Sequence, residues 1–201
     1  RQLNEKFIAS DEEVPNLGVD GANNWIKFSL KNYSDVDELV INLSQTNIDN
    51  VVFYWIKDGI VDSIDSRVGG KGDNLGFNHQ YYLFELPLKM GEEVECYFKL
   101  FSHTQLSAPI SIHTPKSLFN SLLQSDIFSA IYIGLMLSMI LYNIFLYFST
   151  REAHYYTYVN YIFWVVVAQM AILGLLEPLL ALDNTWLTSR LLTFSGAISG
   201  I

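Results

Sequence analysis

Cysteine is almost absent from the sequence: Cys96 is the only one among 201 residues. A single cysteine excludes an internal disulfide, and with it the class of small disulfide-stabilised secreted domains. Cys96 falls on the inward side of a predicted strand, where a thiol behaves as a small apolar side chain rather than as a nucleophile. The four histidines show no metal-ligand spacing. We therefore expect no enzymatic activity, no catalytic residues, no metal site and no cofactor.

Charge is also scarce and unevenly distributed. Only 16% of the residues are charged, compared with about 25% in an ordinary soluble domain. Up to Asn120 the chain carries ten Lys or Arg and seventeen Asp or Glu, whereas from Ser121 onward it carries two and four. The two parts have net charges of −7 and −2, which give the total of −9. A polar domain thus precedes an apolar one, and the absence of a basic patch argues against nucleic acid as a partner.

The apolar part contains long uncharged stretches. Residues 127–148 and 155–176 each provide 22 consecutive uncharged residues, which as a helix would span about 33 Å, against about 30 Å for the hydrocarbon core of a bilayer. Apolar residues lie all round both stretches, whereas a soluble helix would keep a polar stripe. We predict transmembrane helices at about 127–148 and 155–176. A third, at about 186–201, is truncated, so we expect a fragment of a longer membrane protein.

The orientation follows from the connections between these helices. The first connection, STREAH, contains Arg151 and His154, whereas the second, EPLLALDN, contains Glu177 and Asp183 and no Lys or Arg. Basic residues in short loops favour the cytoplasmic side. We therefore predict a multi-pass protein of the inner (cell) membrane, with the bilayer as its lipid partner and the N-terminal domain on the periplasmic or extracellular side.

The polar half has the period-2 alternation of β-strands. In NWIKFSLK, Ile26, Phe28 and Leu30 share one face, and Trp25 and Lys27 share the other. Many short strands separated by turn signals favour an all-β sandwich. We predict a β-sandwich domain at 1–113, a juxtamembrane linker or short amphipathic helix at 114–125, and the start of a multi-helix transmembrane domain at 126–201. The predicted strands lie at 24–31, 37–44, 51–56, 81–88, 93–101 and 106–113.

Several motifs resemble those of bacterial 7TM-DISM receptors, which are seven-transmembrane receptors with diverse intracellular signalling modules. They are NLG at 16–18, W-x-K-F-x-L-x-N at 25–32 and FYWIKDG at 53–59, followed by IYIGLMLSMILYNIFLYFSTREAHYYTYVNY at 131–161. The resemblance covers nearly the whole chain. It departs from the family pattern before Asn16, where the first strands are missing or degenerate, and at Lys27, where the family often has Arg.

The resemblance implies a sensory receptor, in which the domain at 1–113 is an all-β, jelly-roll-like sandwich that acts as the sensor. The external domain would bind a carbohydrate-like or other small ligand, and the helices would pass the signal to a cytoplasmic output module that this chain lacks. A homodimer is one form in which such a receptor could act. The alternative is a non-signalling polytopic membrane protein, used in transport or envelope assembly, with an external β-sandwich.

A polar loop provides the predicted ligand site. If neighbouring strands alternate in direction, the loop before the strand at 81–88 lies at the membrane-distal end, beside the turn at 102–105. Polar groups around an aromatic ring suit a sugar. Asp62, Asp65 and Asp73 could bind calcium, but they lack the spacing of a calcium-binding loop. The alternative ligand site is the sheet face that carries Trp25 and Lys27. The predicted ligand-binding residues are Arg67, Lys71, Asp73, Asn74, Phe77, His79 and His103.

Overall fold

The structure, a computed structural model, describes residues 7–19, 21–46, 48–66, 79–103, 105–176 and 194–197. The chain divides into two compact units, Arg1–Leu118 and Phe119–Ile201. In the described residues, the first unit is built mainly of strands and the second of helices.

Antiparallel strands form three sheets in the first unit. Four strands pair in the order β2-β7-β4-β5, three in the order β6-β3-β9, and two short ones as β1-β8. This arrangement, followed by a long apolar helix, confirms the predicted fold class. The strands are β1 Asn16–Gly18, β2 Asn23–Lys31, β3 Glu38–Leu43, β4 Asn50–Lys57, β5 Ile60–Asp65, β6 Tyr82–Pro87, β7 Glu93–Phe101, β8 Leu106–Ser107 and β9 Ile110–His113.

The core lies between the four-stranded and three-stranded sheets. Phe53 of β4 and Phe98 of β7 are cross-strand partners in one sheet, and Phe84 of β6 comes from the other. The Phe53 ring centroid lies 4.8 Å from that of Phe98 and 5.4 Å from that of Phe84. All three side chains are at most 2% exposed. Period-2 alternation places these apolar side chains on the inner face of each strand, which is why the sequence pattern located the core.

Two strands depart from the predicted pattern. The outward residues of β3, Val40 and Asn42, are only 0% and 4% exposed, so both faces of this strand are buried and not one alone. The predicted strand at 106–113 is divided into β8 and β9 at Ala108 and Pro109. Proline has no N–H to donate to a ladder, which accounts for the break.

The first long helix, α1, runs from Pro115 to Thr150. The backbone N–H of Ser117 donates to Oγ1 of Thr114 at 3.3 Å, so Thr114 caps the helix and Pro115 occupies the first turn, where its missing N–H costs nothing. Residues 115–125 of the predicted linker are therefore helical and continue into the apolar segment. Among the described residues, α1 is the one helix long and apolar enough to cross a membrane, with a mean hydropathy of 1.9.

A short turn joins α1 to the second helix, α2, which runs from Ala153 to Ile172. Arg151 ends α1 in the left-handed region, with φ of 56°, and its N–H donates to the carbonyl oxygen of Tyr147 at 2.8 Å. The rings of Tyr147 and Tyr156 lie 6.1 Å apart across the turn. The charged residues of STREAH thus lie at the turn between two apolar helices.

Candidate functional site

Most of the predicted ligand loop lies outside the described residues. Arg67, Lys71, Asp73, Asn74 and Phe77 all fall in the stretch 67–78, which the structure does not describe. His79 and His103 are the two predicted site residues whose positions are known.

Each of these histidines has a local partner. The backbone N–H of Tyr81 donates to Nδ1 of His79 at 3.2 Å. Oδ2 of Asp49 accepts from the backbone N–H of His103 at 2.8 Å and lies 3.0 Å from Nδ1 of its ring. The His103 side chain is 74% exposed. The structure thus holds His103 through Asp49, a residue that sequence reasoning did not single out.

The two ends of the undescribed loop adjoin one end of the sandwich. Oγ of Ser66 accepts from the backbone N–H of Val51, at the start of β4. Tyr82, which opens β6, donates its hydroxyl to the carbonyl oxygen of Ile48 at 2.5 Å. β6 and β9 are both antiparallel to β3, so they run in the same direction, as the sequence predicted. β7 and β8 follow one another in the sequence but do not pair, because they lie in different sheets.

A second group of polar and aromatic side chains lies on the outward surface of the four-stranded sheet. Since Ile26, Phe28, Phe53, Cys96 and Phe98 face the core, the residues between them face away from it. We call this surface the aromatic face. Its members are Trp25 and Lys27 of β2, Glu95, Tyr97 and Lys99 of β7, and Tyr54 of β4.

The Trp25 indole is the largest exposed ring of the aromatic face. Trp25 remains 42% exposed, and its ring stacks on that of Tyr54, with centroids 5.8 Å apart and planes inclined by 28°. The two residues belong to strands separated by β7, where Lys99 is the direct partner of Trp25. The indole therefore extends across the intervening strand, and its contact with Tyr54 limits its rotation.

Beside the indole, three polar side chains form a connected group. Nζ of Lys27 lies 3.1 Å from Oε1 of Glu95, and the Tyr97 hydroxyl donates to Oε2 of the same carboxylate at 2.9 Å. Hydrogen bonding from Lys27, and then from Tyr97, lowers the pKa of Glu95. The bond to Glu95 raises the pKa of Lys27 in turn. Because the Glu95 side chain is about half exposed, the ion pair contributes little to stability, and its main effect is to fix where the charges and the hydroxyl lie.

The strand register defines the width of the aromatic face. Trp25 is opposite Lys99, Lys99 is opposite Val52, and Val52 is opposite Asp65. Four strands at a spacing of about 4.8 Å make this row about 14 Å wide. Asp65 ends β5, and the undescribed loop at 67–78 begins two residues later. The row thus connects the exposed indole to the strand that leads into that loop.

Comparison with protein families accounts for both parts of the chain. The family model for 7TMR-DISM extracellular 2 matches residues 1–114, which is more than half of the sequence. The chain belongs to the 7TMR-DISM family. The model for 7TM diverse intracellular signalling matches residues 125–201. The predicted resemblance is confirmed: this 7TMR-DISM chain is a receptor-like sensory membrane protein with an extracellular domain. A comparison with curated proteins found no match.

In the 7TMR-DISM extracellular domain, the aromatic face combines two kinds of contact. The exposed indole can pack against an apolar ring surface, and the fixed carboxylate, ammonium and hydroxyl groups can bond to polar substituents. A polyhydroxylated ring such as a sugar presents both. Sequence alternation placed Trp25 and Lys27 on this surface but missed Tyr54, Glu95 and Tyr97. Only the register of β2, β7 and β4 brings those three beside them.

Cys96 lies on the opposite surface of β7 and cannot join this group. It is fully buried, and desolvation raises the pKa of its thiol to about 12. The thiolate is therefore a negligible fraction at neutral pH. Within the described part of the chain, no group of His, Cys, Asp or Glu could hold a metal ion.

Proposed function

We propose that this 7TMR-DISM chain is the sensory and transmembrane part of a bacterial signalling receptor. Its extracellular sandwich binds a small, carbohydrate-like ligand, and its helices pass the signal to a cytoplasmic output module. The match of residues 1–114 and 125–201 to the two 7TMR-DISM models supports the receptor architecture. The ligand is supported by the structure of the aromatic face.

The exposed Trp25 indole is the observation that carries the ligand proposal. Trp25 leaves 42% of its surface exposed, while stacking on the Tyr54 ring limits the rotation of its indole. The neighbouring carboxylate of Glu95 is already oriented by Lys27 and Tyr97. A ligand that stacks on the indole therefore meets polar groups that need little reordering, which lowers the entropic cost of binding.

The strand order supports a jelly roll as the finer description of the sandwich. If β8 and β9 are counted as one strand interrupted at Pro109, the three-stranded and two-stranded sheets merge into the order β1-β8/β9-β3-β6. The facing sheet keeps the order β2-β7-β4-β5. Apart from the β4–β5 hairpin, which lies within one sheet, consecutive strands then alternate between two four-stranded sheets, as they do in a jelly roll.

The membrane part of the proposal extends beyond α1. The family match from 125 to 201 supports several crossings, of which α1 is the first and α2 the second. We place the protein in the cell membrane with the turn at Arg151 on the cytoplasmic side, because Arg151 gives this connection its basic charge.

Binding to an oligosaccharide array tests the proposed function. The full chain in lipid nanodiscs, and its Trp25→Ala variant, are applied to arrayed neutral and acidic oligosaccharides. We expect the wild type to bind a subset of the sugars and Trp25→Ala to lose that binding. Val19→Ala is a matched control, because Val19 is also exposed, at 64%, but lies outside the aromatic face. Absence of binding to every sugar, or equal binding by Trp25→Ala, would contradict the proposal.

A further inference from the structure

One lysine of the four-stranded sheet differs from the others in its surroundings. The strands of this sheet contain four lysines, and three of them have a glutamate as neighbour. These pairs are Lys27 with Glu95 at 3.1 Å, Lys57 with Glu92 at 2.6 Å, and Lys31 with its register partner Glu93. The fourth lysine is Lys99, near the end of β7.

Apolar side chains flank Lys99 on both sides. Its direct register partners are Trp25 of β2 and Val52 of β4, and the Cβ atoms of such partners lie about 5 Å apart. Asp65, the acidic residue in the same row, is two strands away, or about 10 Å. Within the residues that the structure describes, Lys99 makes no ion pair, hydrogen bond or contact with an aromatic ring. The sheet thus provides no partner for this charge.

Lys99 also gives the aromatic face a charge opposite to that of the domain around it. Lys27 and Glu95 neutralise each other on this face, so Lys99 leaves it with one positive charge. The chain up to Asn120 has a net charge of −7. A negatively charged ligand is therefore repelled by most of the domain and attracted to the surface beside Lys99.

The strand register places this charge at the edge of the exposed indole. The Trp25 ring starts in the row of Lys99 and crosses β7 to reach Tyr54, which lies in the row of Tyr97. Lys99 and Tyr97 are two residues apart on the same surface of β7, so the indole passes between them. A ring stacked on Trp25 has the ammonium of Lys99 at one edge and the hydroxyl of Tyr97 at the other.

We propose that Lys99 makes the aromatic face selective for an acidic saccharide, such as one that contains a uronic acid. The sugar ring packs on the Trp25 indole, and its carboxylate accepts a hydrogen bond from Nζ of Lys99. This inference rests on the proposed function, in which the aromatic face binds a carbohydrate-like ligand, and it names the chemical class of that ligand.

The chemistry of lysine suits this role. A hydrogen bond between an ammonium and a carboxylate is stronger than one between neutral groups. Because Lys99 has no carboxylate of the protein to leave, the ligand does not have to break an existing ion pair. The four-carbon stem of lysine is flexible, so Nζ can follow an acidic substituent at the edge of the stacked sugar ring.

Paired acidic and esterified sugars test this selectivity. The full chain in lipid nanodiscs is applied to an array of uronic-acid oligosaccharides, each printed beside its methyl ester. The ester keeps the sugar rings and their linkages but removes the negative charge. We expect the wild type to bind the acids at least about fivefold more tightly than the esters. Raising NaCl from about 0.05 M to about 0.5 M should reduce this preference, because salt screens the attraction.

Three lysine variants assign the preference to one side chain. Lys99→Gln should bind acids and esters alike, whereas Lys99→Arg keeps the charge and should still prefer the acids. Lys31→Gln is the matched control, since it removes the same charge from the outward surface of β2, about 20 Å along the strand from Trp25. It should keep the wild-type preference.

Two results would overturn the inference about Lys99. They are equal binding of acids and esters by the wild type, and an acid preference that persists in Lys99→Gln. If Trp25→Ala still abolished sugar binding in either case, the proposed function would stand without the acidic selectivity. Absence of binding to every acidic and neutral sugar would instead contradict the proposed function itself, and the inference about Lys99 with it.

Discussion

The side chain of Asn32 donates a hydrogen bond to the carbonyl oxygen of Leu88 at 2.6 Å, although the two residues lie 56 positions apart. The same amide nitrogen donates to the carbonyl oxygen of Val36 at 2.7 Å, and its oxygen accepts from the N–H of Ser34 at 2.8 Å. Asn32 is only 1% exposed. It opens an Asn-Tyr-Ser sequence, an N-glycosylation pattern, but in the folded domain its amide is occupied and out of reach of solvent.

Replacing Asn32 by Ala should destabilise the extracellular domain by about 2–3 kcal/mol, because buried carbonyl and N–H groups would lose their partner. Urea unfolding of the full chain, followed by tryptophan fluorescence, measures the change. Tyr33→Ala is the control and should change the free energy of unfolding by less than about 0.5 kcal/mol, since that side chain is exposed. If both variants lowered the free energy of unfolding equally, any change in this turn would destabilise the domain, and the hydrogen bonds of the Asn32 amide would not be the cause.

Glu85 should lower the stability of the domain at neutral pH. Burial of this side chain, together with the negative charge of Glu38, raises the pKa of Glu85 above 4.5. The folded state therefore binds more protons than the unfolded state, and the free energy of unfolding falls as pH rises through 4.5 toward the raised folded-state pKa. We expect Glu85→Gln to be more stable than the wild type at pH 7, with a smaller difference at pH 4.

Thermal unfolding of the full chain at the two pH values measures this effect. Glu93→Gln, at an exposed strand end, should not reproduce the gain. If Glu85→Gln were less stable than the wild type at pH 7, the carboxylate would be making a stabilising contact instead.

Arg151 has a backbone conformation that costs free energy, and its positive charge contributes to the predicted orientation in the membrane. Its φ of 56° lies in a region that costs most residues about 1–2 kcal/mol and glycine little. Arg151→Gly should therefore relax the turn while removing the basic charge from the first connection. We expect a larger fraction of inverted chains, measured by labelling Val19→Cys in intact cells with a membrane-impermeant thiol reagent.

Arg151→Lys is the matched control, because it keeps the positive charge and should keep the external labelling of Val19→Cys at the wild-type level. Unchanged labelling in Arg151→Gly would show that other parts of the chain set the orientation.

Cys96 should be unreactive in the native protein. Its thiol is buried with a pKa of about 12, so maleimide at pH 7 should label it at least about a hundredfold more slowly than the exposed thiol of Met90→Cys. Labelling after denaturation in urea is the control and should proceed at similar rates at both positions. Fast native labelling would mean that β7 opens locally.

The inner faces of the strands could be predicted from sequence because period-2 alternation is a local signal. Alternation in the predicted strand at 93–101 puts Val94, Phe98 and Leu100 on the same side as Cys96, and all four are buried in the core. Alternation cannot reveal which strands pair. Alternation within one strand carries no information about the pairing of β9 with β3, or about the burial of the outward residue Val40.

The aromatic face was only partly predictable for the same reason. Trp25 and Lys27 lie in one strand, so their shared surface follows from sequence alone. Tyr54 and Tyr97 join them through non-local register between strands that are far apart in sequence. The loop prediction at Arg67, Lys71, Asp73, Asn74 and Phe77 remains a prediction, since these residues lie outside the described part of the chain.

The proposed ligand site is tested most directly by isothermal titration of the oligosaccharide selected on the array into the full chain in nanodiscs. The wild type is compared with Trp25→Ala on the aromatic face, and with His79→Ala and His103→Ala at the loop end. We predict that Trp25→Ala weakens binding at least about tenfold, or about 1.4 kcal/mol, and that both histidine variants bind as the wild type does. Unchanged affinity in Trp25→Ala together with lost binding in His79→Ala would contradict this account and place the ligand at the loop.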